Sequence, residues 1–378
     1  MMKAKKIRDI LCIVVFLLMI GIPLAFMNVD PDAISAHDNR ALAGDPIKAH
    51  REQGISISYG IEKYVNDRIG FREKFINFNN VLTYKVFHAS PARAVMLGKE
   101  EWLFYDSVKN GDGDTIGQYT GQVQYTEEQL KTIADNLTRA QKKLEARGTE
   151  FIVMLVPNKE RFYPEYLPDA IRGARISDTC NTDQLVDYLR KNTDIRLVWC
   201  YDDMDQFRQE HPEYVQYCHL DTHWNNLGAY VGAKALFDEM GIDMPEPLEL
   251  PLTEHSDTPA DLLYMMNVDP YVKLKETDYA LHVFPNPDTK IKDTGLEKEW
   301  IYTNHDQDER KVLFVRDSCC AFMRNVLGAK FNYIDMVHFH AYKPEMIEEQ
   351  DPDVFIYEMT ERTLDRLLYF DLDHEGDG

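Results

Sequence analysis

Apolar runs and helical repeats alternate along the second two-thirds of the chain. A helical pattern opens with a capping box at Thr126–Gln129 and stops at Gly148. The stretch "TEFIVMLVP" that follows is a short continuous apolar run, which is typical of a parallel strand buried on both faces. This alternation predicts an α/β fold with a mostly parallel sheet flanked by helices. The further predicted helices are 181–192 and 225–241, and the further predicted strands are 195–200, 310–318 and 351–359.

Before Thr126 the pattern differs. Apolar residues recur every three or four positions over 57–87, which predicts a helix that Gly70 divides into two pieces. "AVMLGKEEWLFY" then predicts a β-hairpin with its turn at 98–101. The Pro-rich segment 243–309 is mixed in character, and we interpret it as an insertion with some β structure.

The first thirty residues combine a basic flank with a long apolar run. "MMKAKKIRD" carries four basic residues, and Ile10–Met27 is free of charge. A span needs about 17–25 residues, and a basic flank favours the cytoplasmic side. A cleaved signal peptide has an apolar core of about 7–15 residues and a small-residue cleavage site, whereas this run is longer and ends "PLAFMNVDPD". The sequence therefore predicts a single-pass membrane anchor with an extracytoplasmic remainder: tail and anchor at 1–29, tether at 30–60 and catalytic domain at 61–378.

Composition excludes one class of partner and leaves the redox state open. The formal charge of −22 argues against nucleic acid, because phosphates are bound by Lys and Arg. The six cysteines show no metal-binding CxxC spacing. A disulfide among Cys180, Cys200 and Cys218 and free thiols are both compatible with the pattern.

Two stretches carry residues suited to catalysis. In "VLFVRDSCCAFM" four apolar strand residues precede Arg316, Asp317 and Ser318, and a helix is predicted to follow. A serine at a strand exit before a helix N-terminus lies where backbone N–H groups can stabilise an oxyanion. Such a serine needs a histidine base held by a carboxylate, and "DTHW" supplies Asp221 and His223.

Other interpretations of these residues remain open. Asp317 and Ser318 are also suited to capping the next helix. His219, Asp221 and His223, with His338 and His340 elsewhere, offer a metal-ligand set. Cys319 is a less favoured nucleophile than Ser318. Four aromatic residues are candidates either for stacking on sugar rings or for core packing: Trp102, Trp224, Tyr163 and Tyr166.

Several motifs occur in the order found in one family. They are "ISAHDNRALAGDP", "YVNDRIGFREKFINFNN", "LGKEEWLFY", "MLVPNKERFYPEYLPD", "DTHWNNLGAY", "FVRDSCCAFM" and "DVFIYEMTERTL". From about residue 35 to 370 the chain resembles the AlgJ/AlgX group of SGNH-hydrolase-like polysaccharide O-acetyltransferases and the related DHHW exported proteins. Cys319 stands where that group usually has phenylalanine.

The resemblance implies a fold, a site and partners. It implies an SGNH-hydrolase-like fold and a triad of Asp221, His223 and Ser318, with Arg316 and Asn158 as oxyanion or substrate contacts. It implies a polysaccharide acceptor and a separate multi-spanning membrane-bound O-acyltransferase (MBOAT-like) as the acetyl source. We predict no cofactor and no metal.

Three functions are compatible with this sequence. The first is an extracytoplasmic O-acetyltransferase that acts through an acetyl-serine. The second is a carbohydrate acetylesterase with the same triad, since only access of water and sugar differs. The third is a non-catalytic scaffold of a polysaccharide export complex.

Overall fold

The computed structural model describes residues 2–34, 40–256, 258, 260–268, 271–281, 283, 285–296 and 298–374. Residues 35–39 of the "ISAHDNRALAGDP" motif, and single positions in the predicted insertion, lie outside the described residues. The chain divides into a smaller unit, Met1–Pro91 with Met266–Val272, and a larger unit, Ala92–Met265 with Lys273–Gly378.

The smaller unit is helical. Its first helix contains an apolar segment, Lys6–Ala25, with a mean hydropathy of 2.4, which by length and composition is able to cross a membrane. The predicted helix over 57–87 is confirmed as two pieces that meet at Gly70. Glycine is needed there because a Cβ atom would lie 2.6 Å from the carbonyl oxygen of Phe26. The helices are α1 (Met2–Ala25), α2 (Pro46–Gln53), α3 (Ile57–Arg68) and α4 (Arg72–Phe87).

The larger unit opens with the predicted hairpin. Strands β1 (Val95–Leu97) and β2 (Leu103–Tyr105) pair antiparallel, which confirms the interpretation of "AVMLGKEEWLFY". The turn contains two left-handed residues, Glu100 at φ 52° and Glu101 at φ 66°.

A seven-stranded sheet forms the centre of the larger unit. Its order is β4-β3-β11-β9-β10-β8-β7; the first five strands are parallel, β8 pairs antiparallel with β10, and β7 pairs antiparallel with β8. The mostly parallel sheet predicted from the sequence is thus confirmed. A separate hairpin pairs β5 with β6. The strands are β3 (Glu150–Val156), β4 (Arg196–Trp199), β5 (Leu252–His255), β6 (Asp278–Leu281), β7 (Lys290–Asp293), β8 (Glu299–Thr303), β9 (Asp308–Arg316), β10 (Phe331–His338) and β11 (Val354–Thr360).

Helices cover both faces of this sheet. Alternate residues of β3 enter different cores: Ile152 and Met154 pack on one face, and Phe151 and Val153 on the other. This two-sided burial explains the continuous apolar run in the sequence. The helices of the larger unit are α5 (Thr115–Thr120), α6 (Glu127–Glu145), α7 (Lys159–Phe162), α8 (Asp169–Gly173), α9 (Asn181–Asn192), α10 (Cys200–Glu210), α11 (Asn226–Met240), α12 (Asp261–Met266, which ends at the boundary with the smaller unit), α13 (Cys320–Gly328) and α14 (Glu345–Gln350), with a 3-10 helix at Glu361–Tyr369.

The sheet is larger than the sequence pattern predicts. Strand β10 was not predicted because Asn332 and Asp335 interrupt its apolar run; Asp335 is nevertheless buried, and burial raises its pKa to about 7. The β structure predicted within 243–309 is present, and part of it, β7 and β8, extends the central sheet. All six cysteines are described, and each is a free thiol.

Candidate active site

Ser318 follows the central parallel strand β9. Strands β10 and β11 flank β9 on opposite sides, so the chain crosses over in opposite directions from this point. Ligands of open α/β sheets bind at such switch points, beyond the carboxyl ends of the strands. Ser318 is partly exposed in the turn between β9 and α13, which begins at Cys320.

Asp317 fixes the turn that presents Ser318. Its buried carboxylate accepts hydrogen bonds from the Cys319 N–H at 2.8 Å, the Thr360 N–H at 2.8 Å and the Thr360 hydroxyl at 2.5 Å. Burial alone raises the pKa of Asp317, but the charge of Arg362 and these hydrogen bonds outweigh it, and the pKa lies below its usual value. An ionised Asp317 therefore ties the turn to the end of β11.

A second buried carboxyl group lies against Asp317. Glu358 accepts the Asp317 N–H at 2.9 Å, and it is 1% exposed. Burial and the charge of Asp317 raise the pKa of Glu358 well above its usual value. Burial and the neighbouring charge therefore favour the neutral form of Glu358 in the folded protein.

The raised pKa of Glu358 makes stability depend on pH. Above a pH of about 4.3 the unfolded chain releases this proton more readily than the folded chain, so stability falls as pH rises. We expect Glu358→Gln, which is neutral at every pH, to gain stability relative to the wild type by up to about 1.4 kcal/mol per pH unit. Urea unfolding between pH 5 and pH 8 measures this. Glu348→Gln, at an exposed position, is the control; a pH-independent difference for Glu358→Gln contradicts the prediction.

The segment that carries Asp221 and His223 is a closed loop. Tyr217 and Trp224 form an isolated antiparallel bridge at its base. Inside the loop, the buried ammonium group of Lys159 donates to the carbonyl oxygens of His219 at 2.9 Å and Asp221 at 3.0 Å, and to that of Leu103 in β2 at 2.6 Å. Lys159 thus positions this loop against the hairpin.

Glu276 holds the same loop from another direction. Its carboxylate accepts the N–H groups of His219 at 2.5 Å and Leu220 at 2.8 Å. Burial raises the pKa of Glu276. The sequence pattern gave no signal for this residue, whereas Lys159 belongs to the "VPNK" stretch after β3.

The three predicted triad residues lie together. The Nε2 atom of His223 is 2.8 Å from the hydroxyl oxygen of Ser318, and its Nδ1 atom is 2.6 Å from Oδ1 of Asp221. Asp221 also accepts the His223 N–H at 3.0 Å and the Asp261 N–H at 2.9 Å. This is the nucleophile, base and orienting-acid geometry of serine acyl transfer.

A further carboxylate, which the sequence did not reveal, lies beside the triad. Oδ2 of Asp261 is 4.0 Å from Nδ1 of His223 and accepts the Thr222 hydroxyl at 2.7 Å. The Thr222 hydroxyl oxygen is also 3.1 Å from Nδ1 of His223. Asp261 belongs to the insertion, about forty residues after Asp221 and His223, so no local motif predicts that it lies at the site.

These carboxylates set the charge state of the base. Burial lowers the pKa of His223, but the hydrogen bond and charge of Asp221, with the charge of Asp261, outweigh it, and the pKa is raised. Burial opposes the hydrogen bond and charge of His223 at Asp221, and the pKa of Asp221 is lowered. The pair is therefore stabilised as imidazolium and carboxylate.

Activity is expected to rise with pH, because His223 acts as a base only when it is neutral. The midpoint lies above the ordinary histidine value of about 6.5. We expect Asp261→Asn to lower this midpoint by about 0.7 unit, since two charges 4 Å apart interact by about 1 kcal/mol in water-like surroundings. The pH profile of ester hydrolysis measures it. Asp238→Asn, an exposed change on α11, should leave the midpoint in place, and an unmoved midpoint in Asp261→Asn contradicts the role.

A small cavity of about 10 Å³, which is room for about one water-sized group, is lined in part by chain neighbours of His223 and Ser318. Thr222, Cys319, Asn158 and Arg362 are among its lining residues. Asn158 is buried, donates to Gln118 at 2.8 Å, and its Oδ1 atom has no hydrogen-bond partner among the described residues. The Arg362 guanidinium donates to Asp112 at 3.0 Å, and its charge lowers the pKa of both His223 and Asp317.

Two other residues predicted as contacts, Arg316 and Trp224, are fully buried. Arg316 is fully buried, stacks 3.6 Å from the ring centre of Trp300 and donates to the Leu296 carbonyl at 2.6 Å. Trp224 is fully buried and donates from its indole to the Cys319 carbonyl at 2.9 Å. Both side chains are thus engaged in contacts within the protein, and their roles as oxyanion or substrate contacts stay predictions.

The other aromatic candidates pack against one another around Trp102. Trp102 is buried and stacks on Tyr166 at 4.4 Å, on Tyr163 at 4.7 Å and on His219 at 4.3 Å. His219 therefore does not join the triad, and His338 packs against Phe339.

Ligand atoms of Asp221, His223 and Asp261 lie within 4.8 Å of one another, but both His223 nitrogens already contact triad partners. Burial raises the pKa of Cys319 well above its usual value, which does not favour a thiolate.

The sheet, its switch point and the serine–histidine–aspartate geometry define the class: an SGNH-hydrolase-like α/β domain. Residues 95–291, just over half of the chain, match the family described as SGNH hydrolase-like domain, acetyltransferase AlgX. The chain belongs to this family, and the resemblance found in its motifs is confirmed.

Among curated proteins the chain is similar to the probable alginate O-acetylase AlgJ of Pseudomonas aeruginosa. The two are 24% identical over 219 residues, which cover 57% of this chain and 51% of that protein. For the AlgJ of Pseudomonas syringae the identity is 24% over 182 residues, covering 46% of this chain and 40% of that protein. The chain thus spans about half the length of the curated relatives it matches.

Solved structures agree on the fold. Bacillus cereus PatB1 is 14% identical with a TM-score of 0.52, covering 74% of this chain and 99% of that chain. A DHHW family protein from Eubacterium siraeum is 14% identical with a TM-score of 0.50, covering 65% of this chain and 87% of that chain. At this identity the likeness concerns the fold alone.

Proposed function

We propose that this protein is an extracytoplasmic O-acetyltransferase that transfers acetyl groups to hydroxyls of an exported or cell-surface polysaccharide. The observation that carries the proposal is the 2.8 Å approach of His223 to the Ser318 hydroxyl, with Asp221 behind the imidazole. Membership of the acetyltransferase AlgX family supports the reaction class. The relatives named as probable alginate O-acetylases support a polysaccharide acceptor.

In the first half-reaction Ser318 becomes acetylated. His223 accepts the hydroxyl proton at Nε2 while Oγ bonds to the acetyl carbonyl carbon. The tetrahedral intermediate then collapses, and the donor's leaving group departs with that proton. The cavity lined by Cys319, the residue after Ser318, and the positive charge of Arg362, which also lines it, are suited to the developing oxyanion.

In the second half-reaction a sugar hydroxyl replaces the leaving group. His223 takes the proton of this hydroxyl, its oxygen attacks the acetyl-serine carbon, and the proton returns to Ser318 Oγ as the ester bond to the enzyme breaks. Asp221 remains ionised and holds the imidazole in the tautomer that exposes a basic Nε2.

The proposed location follows from α1. The apolar segment found in this helix and the basic residues before it support a cytoplasmic N-terminus, with the triad on the outer side. One such helix among the described residues does not itself form a path for an acetyl group. The donor in this proposal is therefore an MBOAT-like membrane-bound O-acyltransferase, as the family resemblance implies.

A competition experiment separates the proposed transferase from the alternatives. The full-length chain in detergent is given a chromogenic acetate ester with or without an oligosaccharide acceptor. Mass spectrometry should find one acetyl group on Ser318 and O-acetylated oligosaccharide. Free acetate as the only product, with the acceptor present, identifies an esterase; no acetyl-serine and no turnover identify a scaffold.

A further inference from the structure

The first turn of α4 is joined to the end of the membrane-spanning candidate α1. The Gly70 N–H donates to the Pro23 carbonyl at 2.9 Å, and the Asn28 N–H donates to the Arg68 carbonyl at 2.8 Å. The rings of Phe26 and Phe71 lie 5.3 Å apart. All of these contacts are inside the smaller unit. The α3–α4 corner therefore sits where α1 ends.

One face of α4 is apolar and exposed. Phe71, the residue before the helix, and Phe75, Phe78 and Val86 within it are 39%, 56%, 69% and 59% exposed, and the half-buried Leu82 lies between Phe78 and Val86. Their spacing of three and four residues places them in one stripe along the helix. We call these five residues the α4 stripe. At 1.5 Å per residue it runs for about 24 Å.

The other face of α4 already has its partner. Asn77 accepts from Asn267 at 2.6 Å, and Asn80 donates to the Met266 carbonyl at 3.0 Å. Asn77 and Asn80 lie roughly opposite the α4 stripe on a helix of 3.6 residues per turn. Apart from Phe71, which contacts Phe26, and the half-buried Leu82, the stripe is therefore left exposed by the packing of α4 into its own unit.

We infer that α4 lies on the membrane surface, with the α4 stripe among the lipid headgroups and upper acyl chains. The apolar surface of α1 continues through Phe26, which is 64% exposed, and Phe71 into the stripe. Aromatic side chains concentrate at membrane interfaces, and amphipathic helices lie in that plane. This inference rests on the proposed membrane placement of α1, and it is independent of acetyl transfer.

Quenching by brominated lipids tests the contact. The four native tryptophans are buried, so a new one reports its own surroundings. The full-length Phe78→Trp variant is reconstituted in phosphatidylcholine–phosphatidylglycerol vesicles with brominated acyl chains. Glu73→Trp, an exposed position of the same helix far from the stripe, is the matched control. Vesicles are first collected by flotation, so only membrane-bound protein is measured.

We expect about twofold or stronger quenching for Phe78→Trp, and little for Glu73→Trp or the wild type. Absence of the protein from the floated vesicles overturns the placement of α1 and the inference with it, whatever the ester-hydrolysis activity. Equal quenching of both variants overturns the assignment to one face. Blue-shifted but unquenched emission from Phe78→Trp identifies protein, such as a second copy, as the cover and overturns the lipid contact.

Discussion

Replacing Ser318 with alanine is expected to reduce acetyl transfer and chromogenic-ester hydrolysis by about 10⁴-fold or more. The change removes only the hydroxyl group that His223 contacts at 2.8 Å, so the acetyl-enzyme cannot form. Initial rates and intact-protein mass spectrometry measure the loss of turnover and of the acetyl adduct. Ser318 is partly exposed, and its carbonyl remains available to the Ala321 N–H, so the fold should persist.

Ser58→Ala is the matched control for this prediction. It removes a hydroxyl from an exposed position of α3 and should leave turnover unchanged. If Ser318→Ala folds normally and retains ester hydrolysis, acetyl-serine and polymer acetylation, the assigned nucleophile is wrong and the catalytic proposal falls.

Asp221→Asn is expected to lower the rate of acetyl-enzyme formation by about 10⁴-fold. Asp221 accepts a hydrogen bond from the Nδ1–H group of His223 at 2.6 Å, which keeps Nε2 free to take the Ser318 proton. An asparagine amide is able to donate to Nδ1 instead, so the ring proton moves to Nε2 and the base is lost. Single-turnover kinetics with a chromogenic acetate measure the acylation step directly.

Asp261→Asn is the matched comparison, because it makes the same change 4.0 Å from the same nitrogen. It removes charge without removing the acceptor of the Nδ1 proton, and at its optimal pH we expect less than about a tenfold loss. Equal losses in the two variants, with both folded, would show that Asp221 is not the orienting acid.

Local sequence was sufficient for the elements around the nucleophile. The run 312–315 is apolar because β9 is buried on both faces, and the polar tip that follows it marks the carboxyl edge of the sheet. Asp221 and His223 were found because the two side chains interact within one short loop. The capping box at Thr126–Gln129 forms as predicted for the same local reason.

Local sequence patterns do not predict contacts between residues that lie far apart along the chain. Asp317 was interpreted as a residue suited to capping the next helix, but its partner Thr360 comes from another strand and has no sequence signature of its own. Trp224 belongs to the predicted motif, and its buried indole donates a hydrogen bond to the Cys319 carbonyl. The sequence around an aromatic residue is the same whether its side chain contacts substrate or packs in the core. Only the tertiary structure shows whether that side chain is buried.

The sequence by itself determined the alternation of strands and helices, the apolar N-terminal helix and the chemical types at the site, since all of these depend on near neighbours along the chain. The tertiary structure decided that His223 meets Ser318 across ninety-five positions, that Asp261 joins them, and that Lys159 and Glu276 hold the loop. Those distances depend on the order of strands in the sheet, where β11 comes to lie between β3 and β9.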